Sequence, residues 1–460
     1  MKPPDPPREA GDPSFAQKLS ATTLHSASVA ALGGLLFGFD TAVISGAEKA
    51  IQRDFALDNA WLGFTVATAL IGTIVGSVAI ERPADSIGRK RTLYLLAILY
   101  FVSSVGCALA PTWVILVVSR FIGGLAIGGA SVVAPMYIAE ISPSRLRGRL
   151  VAINQLNVVV GILLSFISNY LISLSFPSEV AWRWMLGVVA APSAAFLALI
   201  TGIVESPRWL VKAGRVSEAG AVLARLGHDD VARELREIEA SLTGIHAEDH
   251  LFRRRYAWSI FLAWSIAMFN QLSGINALMY YAPRIFEMTG VGAGAALSQS
   301  IAVGGTNLVF TLAGMALIDF VGRRKLIIWG SFGYIASLGA VTWAFHHYGG
   351  AFDRAGGRVV LAGLLVFQAS HAFSQGAVIW VFISEIFPNA VRAKGQALGS
   401  FTHWFMAALV SWTFPIVAAR SGAWPFGFFA AMMILQLVFA WKIMPETKGG
   451  TLEDIESRLA

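Results

Sequence analysis

Apolar residues occur along this chain in runs of about 20, and short clusters of charged residues separate one run from the next. Runs of this length suit helices that cross a bilayer, whereas strands of a membrane barrel would alternate over about ten residues. The pattern predicts an all-α membrane protein with twelve transmembrane helices. The expected spans are 23–46, 61–81, 92–110, 113–139, 150–173, 183–204, 257–281, 298–318, 326–345, 359–384, 395–418 and 425–444.

Three charged motifs occur twice, in the same order, about half a chain apart. The pairs are 85–90 with 319–324, Glu140-Pro143-Arg147 with Glu385-Pro388-Arg392, and 205–208 with 446–449. Short charged loops are common, so one such pair can arise by chance, but three in the same order favour a duplication. The sequence therefore predicts two pseudo-symmetric six-helix bundles, an arrangement typical of carriers that work by alternating access.

A polar segment lies between the predicted bundles. Its apolar residues recur at helical spacing, which predicts two or three short amphipathic helices. The expected domains are a disordered tail at 1–22, a first bundle at 23–204, linker helices at 205–256, a second bundle at 257–444 and a tail at 445–460.

Composition agrees with a membrane protein, since hydrophobic residues make up 56% of the 460 residues and charged residues only 14%. The net charge of +7 is unevenly distributed: 26 Lys and Arg residues lie on one predicted side of the membrane and 7 on the other. By the positive-inside rule we expect both termini in the cytoplasm, and no nucleic-acid partner. The first 22 residues do not resemble a signal peptide, and the single Cys107 excludes a disulfide framework.

Two ionisable residues lie inside predicted spans, Asp40 in the first and Arg120 in the fourth. A charge inside a span is costly unless it is paired, and by default it marks a transport pathway. The alternative is a structural ion pair that holds two helices together. We therefore expect Asp40 and Arg120 to lie close together.

A second group of intramembrane polar residues is neutral. Side-chain amides donate and accept hydrogen bonds, as hydroxyl groups do, and tryptophan rings can cover the apolar face of a sugar. The candidates are Gln155, Asn270, Gln271, Asn276, Asn307, Trp380 and Trp404, with His403 beside them. Together they indicate a neutral polyhydroxylated ligand, although any single amide can instead join two helices. Gly274 lies between two of the amides, at a position where the seventh span can break. For His371 we favour a position in the core.

The chain resembles the sugar porter family of the major facilitator superfamily, and in particular bacterial sugar–proton symporters of the xylose and galactose type. The resemblance runs from about 28 to 455. It rests on Gly-Gly-Leu-Leu-Phe-Gly-Phe-Asp at 33–40, Glu-Ser-Pro-Arg-Trp-Leu at 205–210, Gln-Leu-Ser-Gly-Ile-Asn at 271–276, Ser-Glu-Ile-Phe-Pro at 384–388 and Pro-Glu-Thr-Lys-Gly at 445–449.

The resemblance implies roles for individual residues. Tyr280 matches a tyrosine linked to closing the extracellular side, and Asp40 with Arg120 matches the proton-coupling pair of the symporters. The implied sugar contacts are Gln155, Gln271, Asn276, Asn307, Trp380 and Trp404. The implied cytoplasmic charge network is Asp85, Arg89, Glu140, Arg147, Glu205, Arg323, Glu385, Arg392 and Glu446.

Four positions depart from the family pattern. Asn270 replaces the first glutamine of the usual pair in the seventh span, and His403 replaces an amide before the tryptophan of the eleventh. Both changes lie in the implied sugar site and bear on the identity of the substrate. Glu81 and Ser86 replace a glycine and an arginine in the loop after the second span, which bears on the cytoplasmic charge network.

The expected function is import of a neutral monosaccharide, a hexose or pentose, by proton symport across the cell membrane. The alternatives are a passive facilitator, a symporter of a cyclitol or other polyol, and a sugar sensor without transport activity. We find no nucleophile with its base, metal cluster or phosphate-binding loop, so the sequence does not predict an enzyme. We expect a monomer that uses protons as the coupling ion and needs no cofactor or metal.

Overall fold

The computed structural model describes residues 20–143, 146–243, 250–388 and 390–448, and their regular structure is helical. The predicted disordered tail at 1–22 and the tail at 445–460 lie largely outside the described residues. In chain order the helices are α1 (Ala21–Asp54), α2 (Asn59–Ala79), α3 (Glu81–Ile87), α4 (Arg89–Leu109), α5 (Trp113–Ile141), α6 (Arg147–Ser175), α7 (Ser178–Gly187), α8 (Ala190–Ile200), α9 (Pro207–Lys212), α10 (Val216–Arg225), α11 (Val231–Thr243), α12 (Ala257–Leu272), α13 (Ile275–Glu287), α14 (Ala293–Val321), α15 (Arg323–Tyr348), α16 (Arg354–Phe373), α17 (Gln375–Glu385), α18 (Arg392–Ala418) and α19 (Ala423–Lys442).

Eleven candidate spans, single helices or pairs of consecutive helices, are long and apolar enough to cross a membrane within the described ranges. The seventh predicted span is divided instead between α12 and α13. Gly274 separates them with a φ of +90°, a conformation that glycine adopts without strain. Its missing side chain also makes room for the ring of Phe429, which would lie 2.4 Å from an added Cβ atom. The expected break at Gly274 is confirmed, and with this broken span the twelve-helix fold is complete.

The spans form two halves, the first half with α1–α8 and the second half with α12–α19. Within each half the helices pack closely, for example α1 on α6 and α15 on α19. The halves pack most extensively through α2 with α18, α6 with α14, and α1 with α13. This arrangement leaves the central cavity between two similar bundles.

Helix α1 is longer than the sequence predicts, since it ends at Asp54 and not near residue 46. Its additional turns include Glu48 and Lys49, charged residues that indicate a loop when the sequence is considered alone. Both have partners in α13 of the second half, and these partners explain why the helix continues.

The linker forms three short helices, α9–α11, that share a small apolar cluster of their own. It is attached to the first half. Trp209 Nε1 donates a hydrogen bond of 2.8 Å to Asp85 O, and Thr23 Oγ1 donates one of 3.1 Å to Leu226 O. We call the end of the bundle that carries α3 and the linker helices the linker end, and the opposite end the far end.

Candidate functional site

A cavity of about 150 Å³ lies between the halves, near the middle of the spans. It is lined by α1 and α6 of the first half and by helices α12–α14 and α16–α18 of the second. All eight residues predicted to bind the substrate line it, namely Gln155, Asn270, Gln271, Asn276, Asn307, Trp380, His403 and Trp404. The described residues around it include no Asp, Glu, Lys or Arg.

Gln271 is the centre of the hydrogen bonds in this cavity. Its Nε2 donates to Asn270 Oδ1 at 2.8 Å, and its Oε1 accepts from Asn276 Nδ2 at 2.8 Å. The same Nε2 lies 3.2 Å from Nε2 of His403. Gln271 therefore links α12, α13 and α18 at the point where the seventh span breaks.

The hydrogen bonds continue from the cavity towards the outer helices of the second half. Asn270 Nδ2 donates to Gln375 Oε1 at 3.4 Å, and Gln375 Nε2 donates to Gln436 Oε1 at 2.6 Å. Gln436 Nε2 in turn donates to Ser331 Oγ at 2.9 Å. In this chain the nitrogen of each amide donates to the next residue, and the oxygen of each glutamine accepts from the residue before it. The Asn270 amide is therefore held with its nitrogen towards Gln375 and its oxygen towards Gln271.

Aromatic rings form one wall of the cavity. His403 lies between two tryptophans, with ring centroids 5.1 Å from Trp380 and 4.7 Å from Trp404. Trp404 also contacts Phe37 of the first half, at a centroid distance of 5.6 Å. Trp380 keeps 37% of its surface exposed, so its ring is available to a ligand.

The structure adds cavity residues that the sequence does not single out. Thr41, Thr311 and Gln368 line the cavity, and so does His371, for which a core position was predicted. His371 Nδ1 also lies 2.7 Å from the hydroxyl oxygen of Tyr334. Gln368 and Thr311 are polar residues in apolar spans, and the sequence shows this. Whether their side chains face the cavity, however, depends on the rotation of each helix about its axis, which the sequence does not show.

The predicted intramembrane ion pair is present. Arg120 Nη1 lies 3.4 Å from Asp40 Oδ2, and the two residues join α5 to α1. Arg120 is almost fully buried, and its Nε and Nη2 atoms have no hydrogen-bond partner among the described residues. Asp40 directly precedes the cavity residue Thr41. Tyr280 is buried in α13 but is not among the cavity residues, so its gating role stays a prediction.

The duplicated motifs form two equivalent charge clusters at the linker end. In the first half, Arg89 Nε donates to Glu140 Oε2 at 2.9 Å and Arg89 Nη1 donates to Asp85 Oδ1 at 3.1 Å. In the second half, Arg323 donates in the same way to Glu385 and to Asp319, at 3.2 Å and 3.3 Å. Each of these arginines therefore pairs inside its own half.

Glu205 and Glu446 occupy equivalent positions, and each caps the start of a helix that lies earlier in its own half. Glu205 accepts hydrogen bonds from the backbone N–H groups of Arg89 and Lys90 at the start of α4. Glu446 accepts them from Arg323 and Arg324 at the start of α15. Carboxylates are favourable here because the first N–H groups of a helix lack partners in the helix.

A glycine with positive φ precedes each capped helix, Gly88 at +95° and Gly322 at +96°. An added Cβ atom would lie 2.4 Å from Glu205 at the first position and 2.6 Å from Glu446 at the second. Each position therefore requires glycine for two reasons: the backbone has a positive φ, and a side chain would collide with the nearby carboxylate. Burial raises the pKa of Glu205, against the opposing effect of its hydrogen bonds from Ser206, Lys90 and Arg89.

Other members of the predicted charge network have local partners. Arg147 Nε donates to Ala139 O at 3.1 Å, and Arg392 Nε donates to Phe387 O at 3.2 Å. Partial burial raises the pKa of Asp85, but Lys212 and Arg89 outweigh it, so the pKa lies below its ordinary value. A bridge between the halves through Glu140, Arg147, Glu385 and Arg392 stays a prediction for a different conformation.

At the far end the two halves are joined by polar contacts. Arg284 of α13 binds two residues of α1, with Nε 2.8 Å from Glu48 Oε1 and Nη2 2.5 Å from Gln52 Oε1. Lys49 pairs with Glu287 beside them. Trp412 Nε1 of α18 also donates to Ala60 O of α2 at 3.1 Å. The observed conformation is therefore one in which the halves meet at the far end.

Comparison with known proteins agrees with this geometry. The sequence profile of the family described as sugar (and other) transporter matches residues 26–459. The chain is 35% identical to the D-xylose-proton symporter of Escherichia coli (strain K12), over 93% of this chain and 94% of that protein. It is 37% identical to the D-xylose transporter of Levilactobacillus brevis, over 93% and 94%. Among solved structures, the inward open conformation of the xylose transporter XylE from E. coli superposes with a TM-score of 0.84 and 34% identity, covering 95% of this chain and 99% of that one.

Proposed function

The chain belongs to the sugar transporter family, as a sugar porter of the major facilitator superfamily and a multi-pass protein of the cell membrane, and from this we propose that it imports a neutral monosaccharide by proton symport. The substrate is a hexose or a pentose. The relatives are transporters and not enzymes, and the carrier acts as a monomer without a cofactor, with the proton as its coupling ion.

The observation that carries this proposal is the composition of the central cavity. Six amides, two tryptophans and two histidines line it, and no carboxylate, ammonium or guanidinium group does within the described residues. An ionised substrate would lack a counter-charge there, whereas sugar hydroxyl groups match amides that donate and accept. The Trp380 and Trp404 rings supply apolar surfaces for the sugar C–H groups.

Proton coupling rests on Asp40 and Arg120. Asp40 adjoins the cavity through Thr41, and its partner Arg120 is buried beside it. A carboxylate that loses its cationic partner in an apolar environment binds a proton more readily. Coupling follows if the protonated carrier binds the sugar more tightly than the deprotonated carrier does.

The distribution of basic residues supports an orientation in which both termini and the linker end lie in the cytoplasm. The far end then faces outside. Because ion pairs join the two halves at this end, the carrier is closed to the exterior in this conformation. Two other functions stay open, a passive facilitator and a symporter of a cyclitol or other polyol. No contact in the cavity favours the third alternative, a sugar sensor without transport activity.

Uptake by purified protein in liposomes tests the proposal. A panel of labelled hexoses, pentoses and cyclitols is offered with and without an imposed inward proton gradient. We expect one or a few neutral monosaccharides to accumulate above equilibrium only with the gradient. Uptake that stops at equilibrium in both conditions would indicate a facilitator, and binding without any uptake would indicate a sensor.

A further inference from the structure

Gln368 of α16 is a buried amide without a hydrogen-bond partner. Its relative exposure is 0%, and among the described residues neither its Nε2 nor its Oε1 has a partner. A glutamine amide offers two N–H donors and an acceptor oxygen, so all of its hydrogen-bonding capacity is unused. Buried polar groups are almost always paired, and one that is not has a cause.

The neighbouring amides show that this part of the bundle normally pairs its polar groups. Gln375, seven residues further along the same span, bonds both Asn270 and Gln436. Gln436 bonds Ser331 as well. Gln375, Gln436 and Ser331 are as deeply buried as Gln368, but unlike Gln368 they have protein partners. The missing partner of Gln368 is therefore not a general property of the second half.

The position of Gln368 suggests what its partner is. It lines the same cavity as Asn307 and Thr311 of α14 and as His371, one turn further along α16. These side chains come from α14 and α16 of the second half, whereas Gln155 comes from α6 of the first half. A ligand that fills the cavity therefore meets amides of both halves.

We propose that Gln368 is a sugar-binding residue that determines which monosaccharide the carrier accepts. This inference rests on the proposed transport function. The amide recognises two neighbouring hydroxyl groups of the sugar, since its oxygen accepts from one hydroxyl and its nitrogen donates to the other. A sugar without one of these hydroxyls leaves an atom of Gln368 unpaired again, and this is how the site rejects it.

Sugar affinity of Gln368→Met tests this role, because methionine has a similar length but no strong hydrogen-bonding group. Binding of the best substrate and of its single-deoxy analogues is measured by quenching of tryptophan fluorescence, together with the melting temperature. We expect about a 10- to 100-fold loss of affinity for the parent sugar. One deoxy analogue should bind weakly to the wild type, and its missing hydroxyl should make almost no further difference in the variant. The melting temperature should not fall, because an unpaired buried amide is removed.

Asn169→Leu is the matched control. Asn169 is a buried amide outside the cavity, and its Nδ2 donates to Val43 O at 3.0 Å. This variant should have a lower melting temperature and unchanged sugar affinities. If Gln368→Met does not fold, Gln368→Asn keeps the amide but draws it back from the sugar, and the same loss of affinity is expected.

Two results would overturn the inference in different ways. Wild-type affinities for the parent sugar and all deoxy analogues in the folded variant would mean that Gln368 binds only water, and the transport function would stand. A wild-type protein that binds no sugar of the panel would overturn the transport proposal and this inference with it.

Discussion

Arg284 and Glu48 form a buried ion pair that joins α13 of the second half to α1 of the first. Arg284 Nε donates to Glu48 Oε1 at 2.8 Å, and Glu48 is only 1% exposed. Surface ion pairs contribute little to stability, but breaking a buried pair costs about 3–5 kcal/mol. This pair can therefore favour the conformation in which the far end is closed.

Arg284→Met should shift the carrier towards conformations open at the far end. The test is a cysteine introduced at the cavity residue Thr41 and labelled with a membrane-impermeant reagent from outside, since Cys107 is buried. Labelling should become faster in Arg284→Met. Lys49→Met is the control, since the Lys49 side chain is about half exposed and the loss of an exposed ion pair should have little effect. Equal labelling in all three proteins would exclude the ion pair as a latch.

Asp40→Asn should abolish uphill sugar accumulation but preserve sugar exchange. The asparagine cannot take up and release a proton, whereas the cavity amides that bind the sugar remain in place. Accumulation and counterflow are measured on the same liposomes, so that exchange serves as the internal control. If Asp40→Asn still concentrates sugar in response to a proton gradient, Asp40 is only a structural partner of Arg120.

Gln271→Ala should weaken sugar binding by about 1–3 kcal/mol, with little change in melting temperature. Its loss removes a contact to the sugar, whereas the amides of Asn270 and Asn276 line the cavity, where water can take the place of Gln271. Trp380→Ala should have a similar effect on affinity through the loss of ring contact. Trp343, a tryptophan at the outer surface of α15, provides the control variant Trp343→Ala. Unchanged affinity with a lower melting temperature would make Gln271 a purely structural residue.

His403→Gln should change the order in which hexoses, pentoses and cyclitols are preferred. The imidazole is close to Gln271 and lies between two tryptophan rings, and glutamine has a different shape and reach. Proton-driven accumulation should persist, because Asp40 and Arg120 are unaffected. His347→Gln, which alters a histidine stacked on Trp343, is the control for a change of residue type outside the cavity. An identical order of preference would show that His403 does not contribute to specificity.

Glu205→Gln and Glu446→Gln should lower the melting temperature by similar amounts, because both carboxylates cap helices in the same way. The glutamine nitrogen would face backbone N–H groups, and the loss of a charged acceptor costs about 1–3 kcal/mol. Thermal unfolding in detergent measures the effect, and Glu218→Gln in the exposed linker is the control. A large difference between the two variants would contradict the structural equivalence of the halves.

The chemistry of the cavity could be predicted from the sequence because amides and tryptophans are conspicuous in apolar spans. All eight predicted residues line one cavity. Gln368 has the same chemistry, but whether it faces the cavity depends on the rotation of α16, which its neighbours determine. His371 is buried beside Tyr334, as the predicted core position requires, but it also lines the cavity.

Helix ends were harder to predict than helices. Glu48 and Lys49 lengthen α1 because residues of α13 neutralise them, and such partners lie more than 200 positions away in the sequence. A local pattern contains no information on such a distant contact. The duplicated motifs, by contrast, predicted the equivalence of the halves, since both copies retain every residue that caps α4 and α15.

The two capping carboxylates also bear on how the protein is made. Glu205 follows the last span of the first half, and Glu446 follows the last span of the second. Each bundle therefore obtains the carboxylate that completes its charge cluster from the segment after its own last span. The first bundle needs no residue of the second for this cluster. Biosynthesis can accordingly complete the first bundle while the second is still on the ribosome, and a nascent chain released after the linker would already have its charge cluster satisfied.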